Sequence, residues 1–340
     1  MAVNSIQVRE FSAFEEAKLT FTSGINVFIG ENGTGKTHVL KLIYAMLESA
    51  RKGGDARVLA AKLAGVFRPD GGQVGRLVRR RQGLATAIVK LTSDIGGGRQ
   101  EFTLHKSKLG GPKFHGWAEG ERSVFLPSRE ILALYEGFIH AYTERELSFD
   151  ETYYDACVAL NANPARGVRK QAADEIVSTL REALGGHSEL HGDRFYVKFS
   201  GDRALMEAHL VAEGLRKIAS LERLVLNGML TTNGFLFWDE PEANLNPRLT
   251  VVVADLLGLL AKQGVQVFVT THDFLLARRL SASTAKKGWP ATQFFGFFRP
   301  QRKDPVKVEQ GGTLEELAAN PISEQFARQY EFEAELDKAS

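Results

Sequence analysis

At residues 30–37 the chain reads Gly30-Glu31-Asn32-Gly33-Thr34-Gly35-Lys36-Thr37, which fits the pattern G-x-x-x-x-G-K-[ST] of a phosphate-binding loop. The apolar run from Ile25 to Ile29 precedes it and is typical of a buried strand. From Val39 onward, apolar residues recur at helical spacing. A strand, a glycine-rich turn and a helix in this order form the context that the motif requires. A turn that binds no ligand is the weaker interpretation.

The residue types of this loop suit a nucleoside triphosphate with Mg²⁺. Glycines let successive backbone N–H groups turn toward phosphate oxygens, and the start of a helix adds its dipole. Lys36 would reach the β and γ phosphates, and the hydroxyl of Thr37 would hold Mg²⁺. We therefore predict ATP and Mg²⁺ as ligands. The predicted ATP-binding residues are Gly30, Glu31, Asn32, Gly33, Thr34, Gly35, Lys36, Thr37 and His38.

A pair of carboxylates, Asp239 and Glu240, follows the apolar strand pattern from Gly234 to Trp238. Charges at the end of a buried strand are costly unless they are used. We predict that Asp239 contributes to the Mg²⁺ site. Adjacent strand residues point in opposite directions, so Glu240 can turn toward the attacking water as general base. A solvent-facing strand end explains either acid alone, but explains both poorly.

A histidine, His272, stands at the end of another apolar strand pattern, Val267 to Thr271. It could contact the γ-phosphate or the attacking water. A single histidine at a strand end is more often structural, but this one follows the other two motifs in the expected order. The predicted catalytic residues are therefore Lys36, Glu240 and His272.

The composition is that of an ordinary globular protein, with 44% hydrophobic residues, 25% charged residues and a net charge of +2 over 340 residues. The only cysteine, Cys157, cannot form an intramolecular disulfide. The N-terminus lacks the pattern of a secretory signal, and no apolar run is long enough to span a bilayer. We expect a cytoplasmic protein with no membrane partner.

The order of these motifs resembles that of the ABC-type ATPases, especially the soluble branch that includes RecF, SMC-like and OLD (overcoming lysogenization defect) proteins. Glu240-Pro-Glu-Ala-Asn-Leu-Asn-Pro247 resembles their E-P-E-x-x-L-[HN]-P segment, and Thr270-Thr-His-Asp273 resembles T-T-H-[SD]. The resemblance implies an α/β ATPase head with a mixed, largely parallel core sheet, an antiparallel β lobe and an inserted helical lobe. We predict one head over 1–340, with the nucleotide-binding core at 1–50 and 222–340, basic loops and the β lobe at 51–130, and the helical lobe at 131–221.

The resemblance also implies a signature motif, which one subunit presents to the γ-phosphate bound by another. The best candidate is Leu210-Val-Ala212-Glu213-Gly214-Leu-Arg-Lys217, where Ala212 stands in place of the serine of the family and Ala212, Glu213 and Gly214 would make the contact. Contact would then rest on backbone N–H groups and the helix dipole, which implies slow hydrolysis or the use of ATP as a clamp. An ordinary helix start is the alternative. Asn244 and Asn246 would belong to the D-loop, which crosses the dimer interface in this family.

Two further positions each have more than one possible role. Pro127-Ser-Arg-Glu130 occupies the place of the family's Q-loop but lacks its glutamine, and Ser128 or Glu130 could substitute. Phe14 could stack on adenine, although an aromatic side chain near the first strands is more often part of the core.

A basic segment lies between Arg51 and Lys90, where ten Lys and Arg residues stand against two acidic ones. Within it, Arg76, Arg79, Arg80 and Arg81 could contact nucleic-acid phosphates without sequence preference. A solvated helix face or an acidic protein partner explains the same cluster.

A head of this kind without further domains resembles the ATPase subunits of bacterial anti-phage systems such as Septu and PARIS, in which a partner protein carries the toxic activity. This implies a homodimer, or a higher oligomer of dimers, that closes around ATP and regulates a separate effector. No segment sustains coiled-coil heptads, and we expect no appended nuclease domain. A RecF-like DNA-binding clamp is the alternative.

Overall fold

A computed structural model describes residues 2–80, 85–94, 98–105, 109–115, 122–144, 147–164, 168–230 and 233–339. Its strands are β1 (Val3–Phe11), β2 (Phe14–Thr20), β3 (Ile25–Gly30), β4 (Ala87–Ser93), β5 (Arg99–Leu104), β6 (Leu109–His115), β7 (Ser123–Leu126), β8 (Gly186–His191), β9 (Arg194–Phe199), β10 (Met206–Glu207), β11 (Phe235–Asp239), β12 (Gln266–Thr271), β13 (Thr292–Phe298) and β14 (Lys307–Gly311). Its helices are α1 (Lys36–Arg51), α2 (Ala56–Phe67), α3 (Phe138–Thr143), α4 (Glu151–Leu160), α5 (Val168–Leu184), α6 (Glu213–Leu226), α7 (Pro247–Lys262), α8 (Phe274–Ser283) and α9 (Pro321–Ala339).

The central sheet has the strand order β14-β13-β3-β12-β11-β7. Neighbouring strands from β13 to β7 are parallel, and β14 pairs with β13 in the antiparallel sense. The carboxyl ends of parallel strands meet at one edge of a sheet, which is where open α/β sheets bind ligands. The ends of β3, β11 and β12 therefore bring the three sequence motifs to the same edge.

Apolar side chains cover both faces of this sheet and belong to two cores. In β3, Val27 contributes to one core and Phe28 to the other, because successive strand residues point to opposite faces. Helix α1 packs in the core that contains Phe28, together with the antiparallel sheet. Helices α6, α7 and α8 contribute to the core that contains Val27. The mixed sheet between helices confirms the predicted fold class.

A second sheet is antiparallel and has the order β2-β1-β4-β5-β6. It contains β1 and β2, although residues 1–50 were predicted to belong to the nucleotide-binding core. Conversely, β7 lies within 51–130, the predicted β lobe, but pairs with β11 in the central sheet. Both differences arise from pairings between distant segments, such as Ile6 with Leu91.

The region predicted as a helical lobe also contains strands. Within the predicted helical lobe at 131–221, β8, β9 and β10 form a small antiparallel sheet. The neighbouring helix α6 buries Ile218 and Leu224 and contacts both α4 and α5. None of the described helices is long and apolar enough to cross a lipid bilayer.

Candidate active site

The turn between β3 and α1 takes a path that requires glycine at two positions. Gly30 has a φ of 152°, and a Cβ atom there would lie 2.2 Å from the carbonyl oxygen of Phe297. Gly35 has a φ of 89°, and its Cβ would lie 2.9 Å from the ring of Phe14. Side chains at these positions would be strained and would clash, so the motif glycines shape the loop as predicted.

Lys36 is the first residue of α1, and its side chain is buried inside the loop. Its Nζ atom donates hydrogen bonds to the carbonyl oxygens of Gly30, at 2.6 Å, and Glu31, at 2.9 Å. Burial lowers the pKa of Lys36, while the charges of Glu240 and Asp239 act in the opposite direction. A cation is thus held beside the loop amides and the start of the helix, where phosphate would bind.

Thr37 and Asp239 come from distant parts of the chain and meet at the sheet edge. The hydroxyl of Thr37 donates to Oδ1 of Asp239 at 2.7 Å, and Thr270 donates to the same oxygen at 2.6 Å. Burial raises the pKa of Asp239, which the two hydroxyl hydrogen bonds partly offset. A buried carboxylate beside a hydroxyl is the kind of oxygen donor set that Mg²⁺ takes up together with phosphate and water oxygens.

The donor chemistry therefore fits Mg²⁺ bound jointly with a nucleotide. Within the described ranges, no group of three or more His, Cys, Asp and Glu side chains could hold a metal ion by itself. This is expected for Mg²⁺, which usually binds through one or two protein ligands plus substrate phosphates.

Glu240 lies beside the loop in a turn that follows β11. Its φ is 49°, and its N–H is held by the hydroxyl of Thr270 at 3.0 Å. Oε1 of Glu240 lies 3.3 Å from Nδ1 of His272, and both side chains are partly exposed, at 27% and 44%. The structure thus brings the predicted base and the predicted histidine into contact.

A cavity of about 260 Å³ opens over the loop. Its lining residues are Ser12, Ala13, Asn32, Gly33, Gly35, Lys36, Thr37, His38 and Glu240. A larger cavity of about 620 Å³ lies between α8 and α9, and its lining contains none of the phosphate-binding residues. The smaller cavity is therefore the candidate nucleotide site.

The turn between β1 and β2 contributes residues that sequence reasoning missed. Ser12 has a positive φ of 51° and hydrogen-bonds Nδ1 of His38, so both side chains meet at the cavity. Phe14, by contrast, is fully buried and packs edge-on against Phe297 at 6.0 Å. Phe14 is a core residue and not a platform for adenine. The unusual backbone of a polar turn residue is visible only in the structure.

A third carboxylate, Glu242, also lies behind the site and was not singled out from the sequence. Its Oε1 accepts hydrogen bonds from the hydroxyl of Thr271 at 2.7 Å and from the N–H of His272 at 3.2 Å. Burial raises its pKa, although the Thr271 hydrogen bond acts in the opposite direction.

The candidate signature residues lie at the start of α6, where Ala212 is the N-cap and makes no side-chain capping bond. They contact the predicted D-loop of the same chain. Asn244 Nδ2 donates to Oε1 of Glu213 at 2.8 Å, and Gly214 leaves so little room that a Cβ would lie 3.0 Å from Leu245. Asn246 instead caps α7, since its Oδ1 accepts from the Leu249 N–H at 3.0 Å.

The predicted Q-loop substitute Glu130 has a structural partner. It is buried and accepts a hydrogen bond from Nε of Arg216 on α6 at 2.6 Å. Its carboxylate also accepts from the backbone N–H groups of Leu132 and Ala133. Glu130 therefore joins the segment that follows β7 to α6. Ser128, the other candidate, is half-buried.

The predicted basic cluster is partly neutralised. The guanidinium of Arg79 lies 3.6 Å from Glu10 and 3.8 Å from Glu15. Arg76 lies 3.7 Å from Asp70. Arg76 and Arg80 are exposed, whereas Arg81 lies outside the described residues.

Two family models match parts of the chain. One is described as "AAA ATPase domain" and matches residues 1–91. The other is described as "AAA domain, putative AbiEii toxin, Type IV TA system" and matches residues 159–278. Together they cover the phosphate-binding loop, the signature candidate and both later motifs.

Curated relatives include the DNA replication and repair protein RecF of Bacillus thuringiensis (strain Al Hakam) and of Bacillus cereus (strain B4264). Each is 33% identical over 91 residues, which is 26% of this chain and 23% of the relative. The chain thus matches about a quarter of the length of these proteins.

Solved structures extend the likeness to nearly the whole fold. An SMC head bound to the C-winged helix domain of ScpA is 13% identical with a TM-score of 0.60, covering 93% of this chain and 98% of the other. A Pyrococcus furiosus Smc head with an extended coiled coil has a TM-score of 0.57 at 13% identity, covering 97% and 99%. The two family matches, the partial similarity to RecF and the SMC-head-like fold together support an ABC-type P-loop ATPase head.

Proposed function

We propose that this protein binds Mg-ATP in the cavity over the phosphate-binding loop and hydrolyses it there. The observation that carries the proposal is the 2.7 Å contact of Thr37 with Asp239 beside Glu240. Mg²⁺, when bound, neutralises charge on the phosphate oxygens. Lys36 binds the β and γ phosphates, and Glu240 accepts a proton from the attacking water. His272 orients the side chain of Glu240 and the γ-phosphate.

Closure of two copies around ATP completes the site in this proposal. Ala212, Glu213 and Gly214 do not line the nucleotide cavity of their own chain. Their contacts with Asn244 and Leu245 keep the signature and D-loop candidates together as one surface. That surface is suited to cover the γ-phosphate of a second copy. Because Ala212 lacks a hydroxyl, backbone N–H groups make the contact and turnover is slow.

The closed assembly regulates a separate effector protein, as in bacterial anti-phage defence. Support comes from the match of residues 159–278 to a domain family described with a toxin system. In this role, ATP binding sets the assembly state and hydrolysis resets it.

Glu240→Gln tests the hydrolytic site. We expect phosphate release to fall by roughly 10²-fold or more, since the variant keeps the shape of the side chain but loses the base. The variant also accumulates as an ATP-dependent dimer or larger assembly, measured by mass in solution. Glu331→Gln, on the exposed face of α9, is the matched control and keeps wild-type turnover. Equal phosphate release from Glu240→Gln and wild type would refute the assignment.

The alternative is a DNA-binding clamp, which the similarity to RecF favours. Exposed Arg76 and Arg80 would then contact phosphates, and binding to duplex DNA would weaken steeply as salt rises. Charge reversal of both arginines should remove that binding. If the protein has no affinity for duplex DNA, or if that affinity changes with neither salt nor charge reversal, the DNA-binding clamp is excluded.

A further inference from the structure

The carboxylate of Glu242 connects two neighbouring strand ends. Glu242 lies in the turn after β11, yet its Oε1 bonds the Thr271 hydroxyl at 2.7 Å and the His272 N–H at 3.2 Å at the end of β12. The side chain is only 6% exposed. Its other oxygen, Oε2, has no hydrogen-bond partner among the described residues. Burying a carboxylate in this way is costly, which calls for a specific role.

The same turn also supplies Glu240. Pro241 stands between the two glutamates, and its fixed φ stiffens the turn. The N–H of Glu240 is held by Thr270, and the main chain of the turn is held from α6, where Lys217 Nζ donates to the Ala243 carbonyl oxygen at 2.6 Å. The turn is therefore anchored from both sides.

His272 is consequently held at two points by one turn. Glu242 holds its backbone N–H, and Glu240 contacts its ring at 3.3 Å. Glu242 itself does not line the nucleotide cavity, and its Oε1 is 3.9 Å from Nδ1 of His272. Glu242 is thus separated from the reacting atoms, but its hydrogen bond to the backbone of His272 holds the histidine in position.

We propose that Glu242 is a positioning residue for hydrolysis, which fixes His272 against Glu240 through the Thr271 and His272 hydrogen bonds. This role rests on the proposed hydrolytic function. It requires a hydrogen-bond acceptor at the position of Oε1 and does not require a charge. Glutamine at position 242 keeps that acceptor, whereas alanine removes it.

Steady-state hydrolysis of Glu242→Gln, Glu242→Ala, His272→Ala and the Glu242→Ala/His272→Ala pair tests the proposal. Glu242→Ala should lower kcat by roughly tenfold or more, with the KM for ATP within about twofold, because misplaced groups lose rate more than binding. Glu242→Gln should stay within about threefold of wild type, since the acceptor is kept. In the His272→Ala background, Glu242→Ala should lower kcat no further, since both substitutions remove the same function.

Several outcomes would overturn the proposal while wild type still hydrolyses ATP. The first is that the losses of kcat in Glu242→Ala and His272→Ala add in the double variant. The second is that Glu242→Ala keeps the wild-type kcat. The third is that Glu242→Gln is as inactive as Glu240→Gln, which would make Glu242 an acid or base. Thermal melting and binding of a non-hydrolysable ATP analogue establish that the variants fold. A second readout does not need turnover: the His272 ring resonance should shift in Glu242→Ala but not in Glu242→Gln. An unchanged resonance in both variants refutes positioning, whereas inactive wild type refutes the proposed function.

Discussion

At the scale of single residues, three acids within one short segment have different surroundings and therefore different chemistry. Asp239 is buried and accepts hydrogen bonds from two threonine hydroxyls. Glu240 is partly exposed and borders the nucleotide cavity. Glu242 is buried behind His272 and is absent from the lining of that cavity. The proposed roles of metal ligand, base and positioning group are therefore assigned from these environments, since residue type alone does not distinguish the two glutamates.

Removing the charge of Glu242 should stabilise the protein at neutral pH. Burial raises the pKa of this carboxyl above its ordinary value of 4.5, so ionisation costs more in the folded state than in the unfolded state. That cost is absent below pH 4.5 and fully present above the folded-state pKa. Glu242→Gln should therefore raise the melting temperature at pH 7 by a few degrees, with a smaller gain near pH 5. Equal gains at both pH values, measured without nucleotide, would contradict this explanation.

Residues of the phosphate-binding loop were predictable because each has a local reason to be there. Gly30, Lys36 and Thr37 belong to one contiguous pattern between a strand and a helix. Asp239 and Glu240 were recognisable as charges at the end of an apolar strand. Ser12 and Glu242 were not, because their roles depend on a positive φ and on a contact across strand ends. Neither feature leaves a periodic pattern in the sequence.

At the scale of secondary structure, a partly buried ionic cluster joins α1 to α2 and α4. Lys62 on α2 lies 2.8 Å from Glu151 and 2.5 Å from Asp155, both on α4. Tyr44 on α1 donates to Asp155 at 2.7 Å. Burial lowers the pKa of Lys62, but the two carboxylates outweigh it and raise the pKa above its ordinary value. The cluster therefore fixes α4 against the helix that carries Lys36.

Breaking this cluster should destabilise the protein strongly. Lys62→Met leaves Glu151 and Asp155 near each other without their shared cation, and because their side chains are 23% and 20% exposed, we expect a loss of about 1–3 kcal/mol. The free energy of unfolding from urea titration measures the effect. Lys18→Met, at an exposed position of β2, is the matched control and should change stability little. If Lys62→Met and Lys18→Met lower the free energy of unfolding by similar amounts, the cluster makes no specific contribution to stability.

The elements themselves were predictable to different degrees. The central strands β3, β11 and β12 are recognisable as apolar runs, since parallel strands are buried on both faces. The small sheet of β8 and β9 has a mixed pattern, with charged ends such as Arg194, and its sequence is hard to distinguish from a break between helices. The assignment of β1 to the antiparallel sheet depends on pairing with β4, which is distant in the sequence. Such long-range pairing has no local signal.

At the scale of the whole molecule, the candidate signature residues lie apart from the candidate nucleotide cavity of the same chain. The phosphate-binding loop and Glu240 line one cavity, whereas Ala212 lies at the start of α6 outside that lining. The Arg216 contact with Glu130 and the Lys217 contact with Ala243 hold α6 against the central sheet. Ala212, at the start of this helix, is exposed to solvent. We therefore expect a second copy to supply the missing half.

Mixing two inactive variants tests this central claim most directly. Lys36→Met removes the phosphate-binding cation, and Ala212→Glu places a negative charge at the exposed signature position. Each variant alone should lack hydrolysis, because neither homodimer contains a complete site. An equal mixture should recover about one quarter of wild-type activity, since half of the randomly formed dimers carry one intact composite site out of two. A mixture as inactive as its components, although the two variants associate in the presence of ATP, would contradict a site shared between two copies.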